Sequence, residues 1–191
     1  MIKYLSKIQV DKLLNIITDP RDKALITLMY FYGLRRGEVC NLLITDIDCA
    51  NNLIHIKPLK GGIEGNHYLT NDCINRINEY LVIRKKQPNK LPYLFVSKQK
   101  PTKLDGSTVY RIYCKYANLA GFPKELHNPH TLRHTLGCGL ISSGFDLGFV
   151  KDLLRHRNIS STTVYANIMN QAKLAMQKNA LENGIFIGKI A

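Results

Sequence analysis

Apolar residues recur at helical spacing from Ser6 to Ile17, through Ile8, Val10, Leu13, Leu14 and Ile17. Asp22 to Tyr32 predicts a second helix, apolar enough to be central, and Gly33 ends it because glycine accepts the left-handed conformation beyond a helix C-terminus. A short helix is expected from Arg36 to Leu42 or Leu43. The period then changes. Leu53-Ile54-His55-Ile56-Lys57 alternates, His67-Tyr68-Leu69-Thr70 is its expected partner, and Gly61, Gly62 and Gly65 supply the turn, with Lys60 near its tip. Residues 71–84 return to helical spacing through Ile74, Ile77 and Leu81. Arg84 to Lys103 reads as a loop region holding prolines, lysines and one apolar piece, Tyr93-Leu94-Phe95-Val96.

From Ser107 the pattern is helical almost to residue 183. Asn128 is the expected N-cap of one helix, with Pro129 in its first position, and Ser160 or Ser161 the cap of the helix carrying Tyr165. The apolar tail from Gly184 to Ile190 reads as a docking segment. The pattern therefore predicts a mainly α fold with a small antiparallel β-sheet (α+β). One domain over residues 1–191 is expected, because neither side of the 84–103 loop carries enough pattern to fold alone.

Charge narrows the function. Lys and Arg number 27 against 14 acids, a net charge of +13 on 191 residues, which points to a polyanion and first to nucleic acid. Charge alone does not separate DNA from RNA or anionic lipid. The five cysteines form no CxxC pair, as expected of reduced thiols in a cytosolic protein. No signal peptide is evident, and no apolar run approaches the ~18–20 residues that span a bilayer. A cytoplasmic protein with no membrane partner is expected.

Three basic clusters carry the candidate chemistry: Gly33-Leu34-Arg35-Arg36-Gly37-Glu38, His130-Thr131-Leu132-Arg133-His134 and Leu153-Leu154-Arg155-His156. Guanidinium groups match phosphate oxygens with paired hydrogen bonds and stay charged. Arg35 follows a glycine break, and Glu38, three residues on, is placed to orient it. Taken alone, this cluster reads more readily as a surface helix with an ordinary ion pair. His130 and Arg133, three apart near a helix start, face the same way and suit a phosphate clamp. His127, His130, His134 and Cys138 have spacings that zinc ligands use, but three ligands on one helical stripe do not surround a tetrahedral ion. Tyr165 is a candidate nucleophile. A free phenol has a pKa of about 10 and needs nearby positive charge or a base to attack. A core tyrosine is the ordinary alternative. Lys60 on a glycine-flanked turn is a candidate general acid, although a lone lysine there reads more readily as a solvated loop-tip residue.

Together and in this order, the clusters resemble the tyrosine recombinase (phage integrase-like) family. Its pattern is an arginine in G-L-R-x-x-E, a hairpin lysine, H-x-x-R, a histidine in L-L-x-H and a tyrosine about nine residues later. The likeness runs from about Leu5 to about Asn170 and is nearest in style to short fimbrial phase-switch and Xer-type recombinases. Many members have glycine where this chain has Arg155, and most carry a separate N-terminal DNA-clamping domain, expected to be absent here. The resemblance implies a catalytic set of Arg35, Lys60, His130, Arg133, His156 and the nucleophile Tyr165, supported by Glu38. It implies cleavage and rejoining through a 3′-phosphotyrosine, with no cofactor, metal or ATP, by a homotetramer on double-stranded DNA. Lys85, Lys86, Lys98, Lys100 and Lys103 are expected on the DNA backbone. The alternatives are a type IB topoisomerase-like relaxing enzyme and an inactive DNA-binding accessory protein.

Overall fold

Helix α1 (Lys7–Ile16) starts where the sequence encodes a reciprocal cap: Ser6 Oγ accepts from the Gln9 N–H and Gln9 Oε1 accepts from the Ser6 N–H. In the computed structural model, residues 2–59, 62–87 and 90–182 are described. Helix α2 (Pro20–Phe31) is capped by Asp19, with proline in its first turn, and buries Ala24 to Met29 without a break. It is the central helix, as its composition predicts. Gly33 follows with φ +56, and a Cβ there would stand 2.6 Å from Leu154 Cδ2, so both backbone and space call for glycine.

Helix α3 (Arg36–Asn41) leads into a three-stranded antiparallel sheet of β1 (Ile47–Asp48), β2 (Leu53–Ile56) and β3 (Gly65–Tyr68), in that order. Ile54 pairs with Ile47 on one side and His67 on the other. A β2–β3 hairpin is present as expected, but β3 begins at Gly65, a residue expected in the turn, and ends at Tyr68 rather than Thr70. The sequence reading also lacks β1, which at two residues is too short to show alternation. Lys60 lies outside the described residues.

Helix α4 (Asn71–Lys85) follows. The segment expected as a loop then threads the interior: Leu94, Phe95 and Val96 are fully buried, and Phe95 stacks on Tyr80 with ring centroids 5.4 Å apart. The Leu94 N–H donates to Leu42 O and the Leu104 N–H to Phe95 O, so backbone pairing fixes this strand-like piece. Helix α5 (Gly106–Leu119), capped by Asp105, buries Val109, Ile112, Tyr113 and Tyr116 in the main core.

Helix α6 (His130–Ser142) begins one residue later than expected, with Pro129 as its cap residue, while Asn128 Oδ1 still accepts from the His130 N–H. Helices α7 (Leu147–Leu153) and α8 (Ala166–Glu182) complete the described chain. Tyr165 does not ride on a serine-capped helix. It closes the second of two successive 3₁₀ turns, Ile159–Ser161 and Thr163–Tyr165, just before α8. Cys138, Ile141, Val150, Leu154 and Tyr165 form a second, smaller apolar cluster. No described helix is long and apolar enough to cross a membrane. The apolar tail from Gly184 lies outside the described residues.

Candidate active site

Helix ends meet at the site. The C-terminus of α2, the start of α3, the first turns of α6 and the end of α7 are tied together by buried guanidinium groups. Arg133, 1% exposed, donates through Nη1 to Gly33 O and through Nη2 to Leu154 O. Burial and the Arg35 charge lower its pKa to about 9, which leaves it cationic at neutral pH. Arg35 donates through Nη1 to Glu38 Oε1 at 2.6 Å and through its backbone N–H to Glu38 Oε2 at 2.9 Å. Glu38 is buried, whereas the Arg35 side chain is 40% exposed and open to a ligand. Burial works to raise the Glu38 pKa, but the Arg35 N–H, the Arg155 charge and the Arg35 side chain outweigh it and hold the carboxylate below its ordinary value.

His130 and His156 are neutral at pH 7. Partial burial of the His130 ring, then the charges of His134, Arg133, Arg35 and Arg36, lower its pKa to about 4. His156 is 6% exposed, and burial followed by Arg133, Arg35, His130 and Arg155 also brings it to about 4. Its Nδ1 lies 2.8 Å from Thr162 Oγ1. With the Thr162 hydroxyl donating, Nε2 carries the hydrogen and is a donor for a phosphate oxygen. These interactions bring Arg35, Glu38, His130, Arg133 and His156 into one electrostatic cluster. A hollow of about 840 Å³ opens beside it, lined among others by Arg35, Arg36, Gly37, Ser107 and His130.

A folded-state pKa near 4 for His156, against 6.5 for the free side chain, carries a sign. The unfolded chain takes up the proton first, so stability is complete above about pH 6.5 and falls as pH drops toward about 4. The His156 ring is expected to account for roughly 2–3 kcal/mol of acid destabilisation by about pH 4.5. Urea unfolding at pH 7.5 and 4.5 checks this: His156→Asn should show a smaller loss across the interval than wild type, and an equal loss would contradict it.

Tyr165 stands at the edge of the cluster, and Arg133 and Tyr165 interact electrostatically. It is 1% exposed, and burial, with Cys138 adding to it and Arg133 opposing, pushes its pKa up to about 12. Its hydroxyl lies 3.2 Å from His134 Nδ1. The His134 ring in turn meets the His130 ring edge-on at 4.6 Å. His134 thus links the candidate nucleophile to the rest of the site, a role the sequence reading misses because its spacing suggests only a metal ligand. Among the described residues no group of three or more His, Cys, Asp or Glu side chains could hold a metal ion.

Gly137 makes room for the phenol. A methyl group there would stand 2.5 Å from Tyr165 Cζ and 2.7 Å from its oxygen. Alanine is the better helix former by about 1 kcal/mol, yet Gly137→Ala is expected to destabilise the protein by about 1–3 kcal/mol through overpacking. Chemical denaturation checks it, and a variant as stable as wild type would refute the tight seat.

The remaining expected site residues are spread more widely. Lys60 cannot be placed, but its described neighbours can. A Cβ on Gly37 would collide with Leu59, and a Cβ on Gly62 would stand 2.7 Å from the Arg155 carbonyl oxygen, so Leu59 and Gly62 both lie against the site. Lys85 and Lys86 sit exposed at the end of α4, and Lys100 is exposed. Lys98 pairs with Asp19, and Lys103 bonds Asn41 Oδ1 at 2.5 Å.

The mainly helical architecture, with its three-stranded sheet, is the catalytic-core fold of tyrosine recombinases. It aligns with the crystal structure of the XerH site-specific recombinase bound to its difH substrate, at TM-score 0.76 and 27% identity, over 87% of this chain and 50% of that one. The chain belongs to the phage integrase family, which it matches over residues 3–172. A tyrosine recombinase of Pseudothermotoga lettingae is 35% identical over 95% of this chain and 62% of its own length. The type 1 fimbriae regulatory protein FimB of Escherichia coli is 34% identical over 85% of this chain and 82% of its own. The chain therefore spans less than two thirds of the Pseudothermotoga lettingae recombinase.

Proposed function

We propose that this chain is a site-specific DNA recombinase that cleaves and rejoins double-stranded DNA through a 3′-phosphotyrosine. The observation that supports the reading is the electrostatic clustering of Arg35, Glu38, Arg133, His130 and His156 beside a hollow that Arg35, Glu38 and His130 line, with Tyr165 coupled to the cluster through Arg133. The Tyr165 oxygen attacks the scissile phosphorus, the bond from phosphorus to O5′ breaks, and a 5′-hydroxyl leaves. Arg35 and Arg133 stabilise the extra negative charge that develops on the nonbridging oxygens. Neutral His130 takes the phenolic proton, His156 Nε2–H holds a nonbridging oxygen, and Lys60 gives a proton to the departing O5′. Glu38 orients Arg35. The phosphotyrosine retains the bond energy, so attack by a 5′-hydroxyl restores the backbone without a metal, cofactor or ATP.

The buried phenol adds a condition. Tyr165 must leave His134 and its apolar seat to reach a phosphate. The two short 3₁₀ turns before α8 hold few internal hydrogen bonds and suit that movement. Lys85, Lys86, Lys98, Lys100 and Lys103 meet the DNA backbone. Four copies act on two duplexes in the cytoplasm, and residues 1–191 act as one catalytic domain.

The test uses a library of nicked duplexes with a randomised core, incubated with the protein without divalent metal or ATP. Covalent adducts that survive detergent should accumulate on a small set of sequences, and peptide mapping should place the link on Tyr165. No adduct with any member would overturn the proposal. Relaxation of supercoiled plasmids lacking a selected sequence would favour the topoisomerase-like alternative instead.

A further inference from the structure

Arg155 is the most unusual residue of the site. Its backbone takes φ +56, the left-handed region that side chains other than glycine rarely occupy. Among the described residues only Asn52 shares that property without being glycine, and asparagine tolerates it better. Arg155 is also 1% exposed. Backbone strain and a buried charge both count against the fold, so the contacts of this side chain must over-determine its place.

Those contacts join elements that carry the proposed catalytic groups. Nη2 donates to Tyr32 O at 2.9 Å, at the end of α2, and to Glu38 Oε2 at 3.3 Å, on α3. Nη1 donates to Leu153 O at 2.9 Å, at the end of α7, and lies 3.3 Å from His67 Nε2 on β3. The carbonyl oxygen would stand 2.7 Å from a Cβ on Gly62, which is two residues beyond Lys60 in the sequence. His156 is the next residue. Glu38 therefore binds two arginines: Oε1 faces Arg35, and Oε2 is shared between the Arg35 N–H and Arg155. A single carboxylate between two guanidinium groups leaves the cluster one positive charge richer than an isolated Arg35–Glu38 pair. The positive surplus stays at the hollow, on the partly exposed Arg35.

We propose that Arg155 is a positioning residue for DNA cleavage, holding the Glu38 carboxylate so that it orients Arg35 without neutralising the site. Arg155 itself does not touch the phosphate. The inference rests on the recombinase reading given above. Glycine is the informative replacement, because it accepts φ +56 and removes only the side chain.

The experiment measures single-turnover cleavage at saturating nicked duplex, duplex affinity, and urea unfolding for wild type, Arg155→Gly, Glu38→Gln and the double variant. Arg155→Gly is expected to slow cleavage on the order of 10- to 100-fold, the scale of a misplaced catalytic group, with duplex affinity unchanged. The double variant should cleave about as slowly as the slower single variant, and the unfolding effects should be non-additive in the same sense. Arg155→Lys, which keeps the charge but not the fork, should recover part of the rate. Wild-type cleavage by Arg155→Gly, or effects that multiply with those of Glu38→Gln, would overturn the assignment. A wild-type protein that formed no adduct would count against the recombinase reading, and the unfolding cycle would still decide whether Arg155 acts through Glu38.

Discussion

Tyr165→Phe is expected to eliminate the covalent adduct while the protein remains folded and binds duplex DNA as wild type does. The ring contributes to the small apolar cluster with Cys138, Ile141, Val150 and Leu154, and phenylalanine fills the same seat opposite Gly137. What disappears is one hydrogen bond to His134, a net change of about 1 kcal/mol. Stability therefore moves little, whereas the oxygen proposed to form the phosphotyrosine is gone. Adduct trapping on a selected nicked duplex, alongside thermal melting and fluorescence anisotropy, separates the two effects. Equal trapping by wild type and variant would remove Tyr165 from its role.

The burial of that oxygen is a part of its setting that the sequence does not carry. Tyr165 is one of ten tyrosines, and only its place after three basic clusters distinguishes it. Serines at 160 and 161 read as helix caps, but a hydroxyl before a helix has the same signature whether the chain enters the helix directly or through 3₁₀ turns. Here Thr162 bonds His156, and the turns end with Tyr165 turned inward. His134 shows the same limit. Its bond to Tyr165 joins residues 31 positions apart and leaves no local pattern.

Elements with long, regular patterns are legible. The first four helices and strand β2 fall where periodicity and caps place them, while β3 starts two residues before its expected position. Strand β1 and the buried Leu94-Phe95-Val96 piece are too short to declare a period, and their pairing is made by distant backbone, Leu42 and Ile54 among it. Arg155 is the opposite case. The letter alone announces a basic surface residue, yet the backbone turns left-handed there and the side chain goes inward to Glu38. Tertiary contact, not propensity, decides that position.

Arg133→Ala is expected to slow cleavage by about 10²–10³-fold or more, the usual consequence of removing a fixed donor from a charged transition state. Binding should remain measurable, because affinity for duplex rests on many phosphate contacts spread over a chain of net charge +13. Arg133 also has a structural task, since it donates to the carbonyls of Gly33 and Leu154 and so joins the ends of α2 and α7. Alanine leaves both acceptors without that donor, at a cost of roughly 1–3 kcal/mol for each that stays buried and unpaired. Misfolding alone would therefore lower activity. Arg133→Lys separates the causes. Lysine keeps the charge and reaches one carbonyl, but it cannot hold two carbonyls and a phosphate in fixed planar geometry. It should stay folded, bind duplex and still cleave far more slowly than wild type. Single-turnover cleavage measured below the melting temperature of each variant gives the result, and wild-type rates for either substitution would remove Arg133 from the transition state.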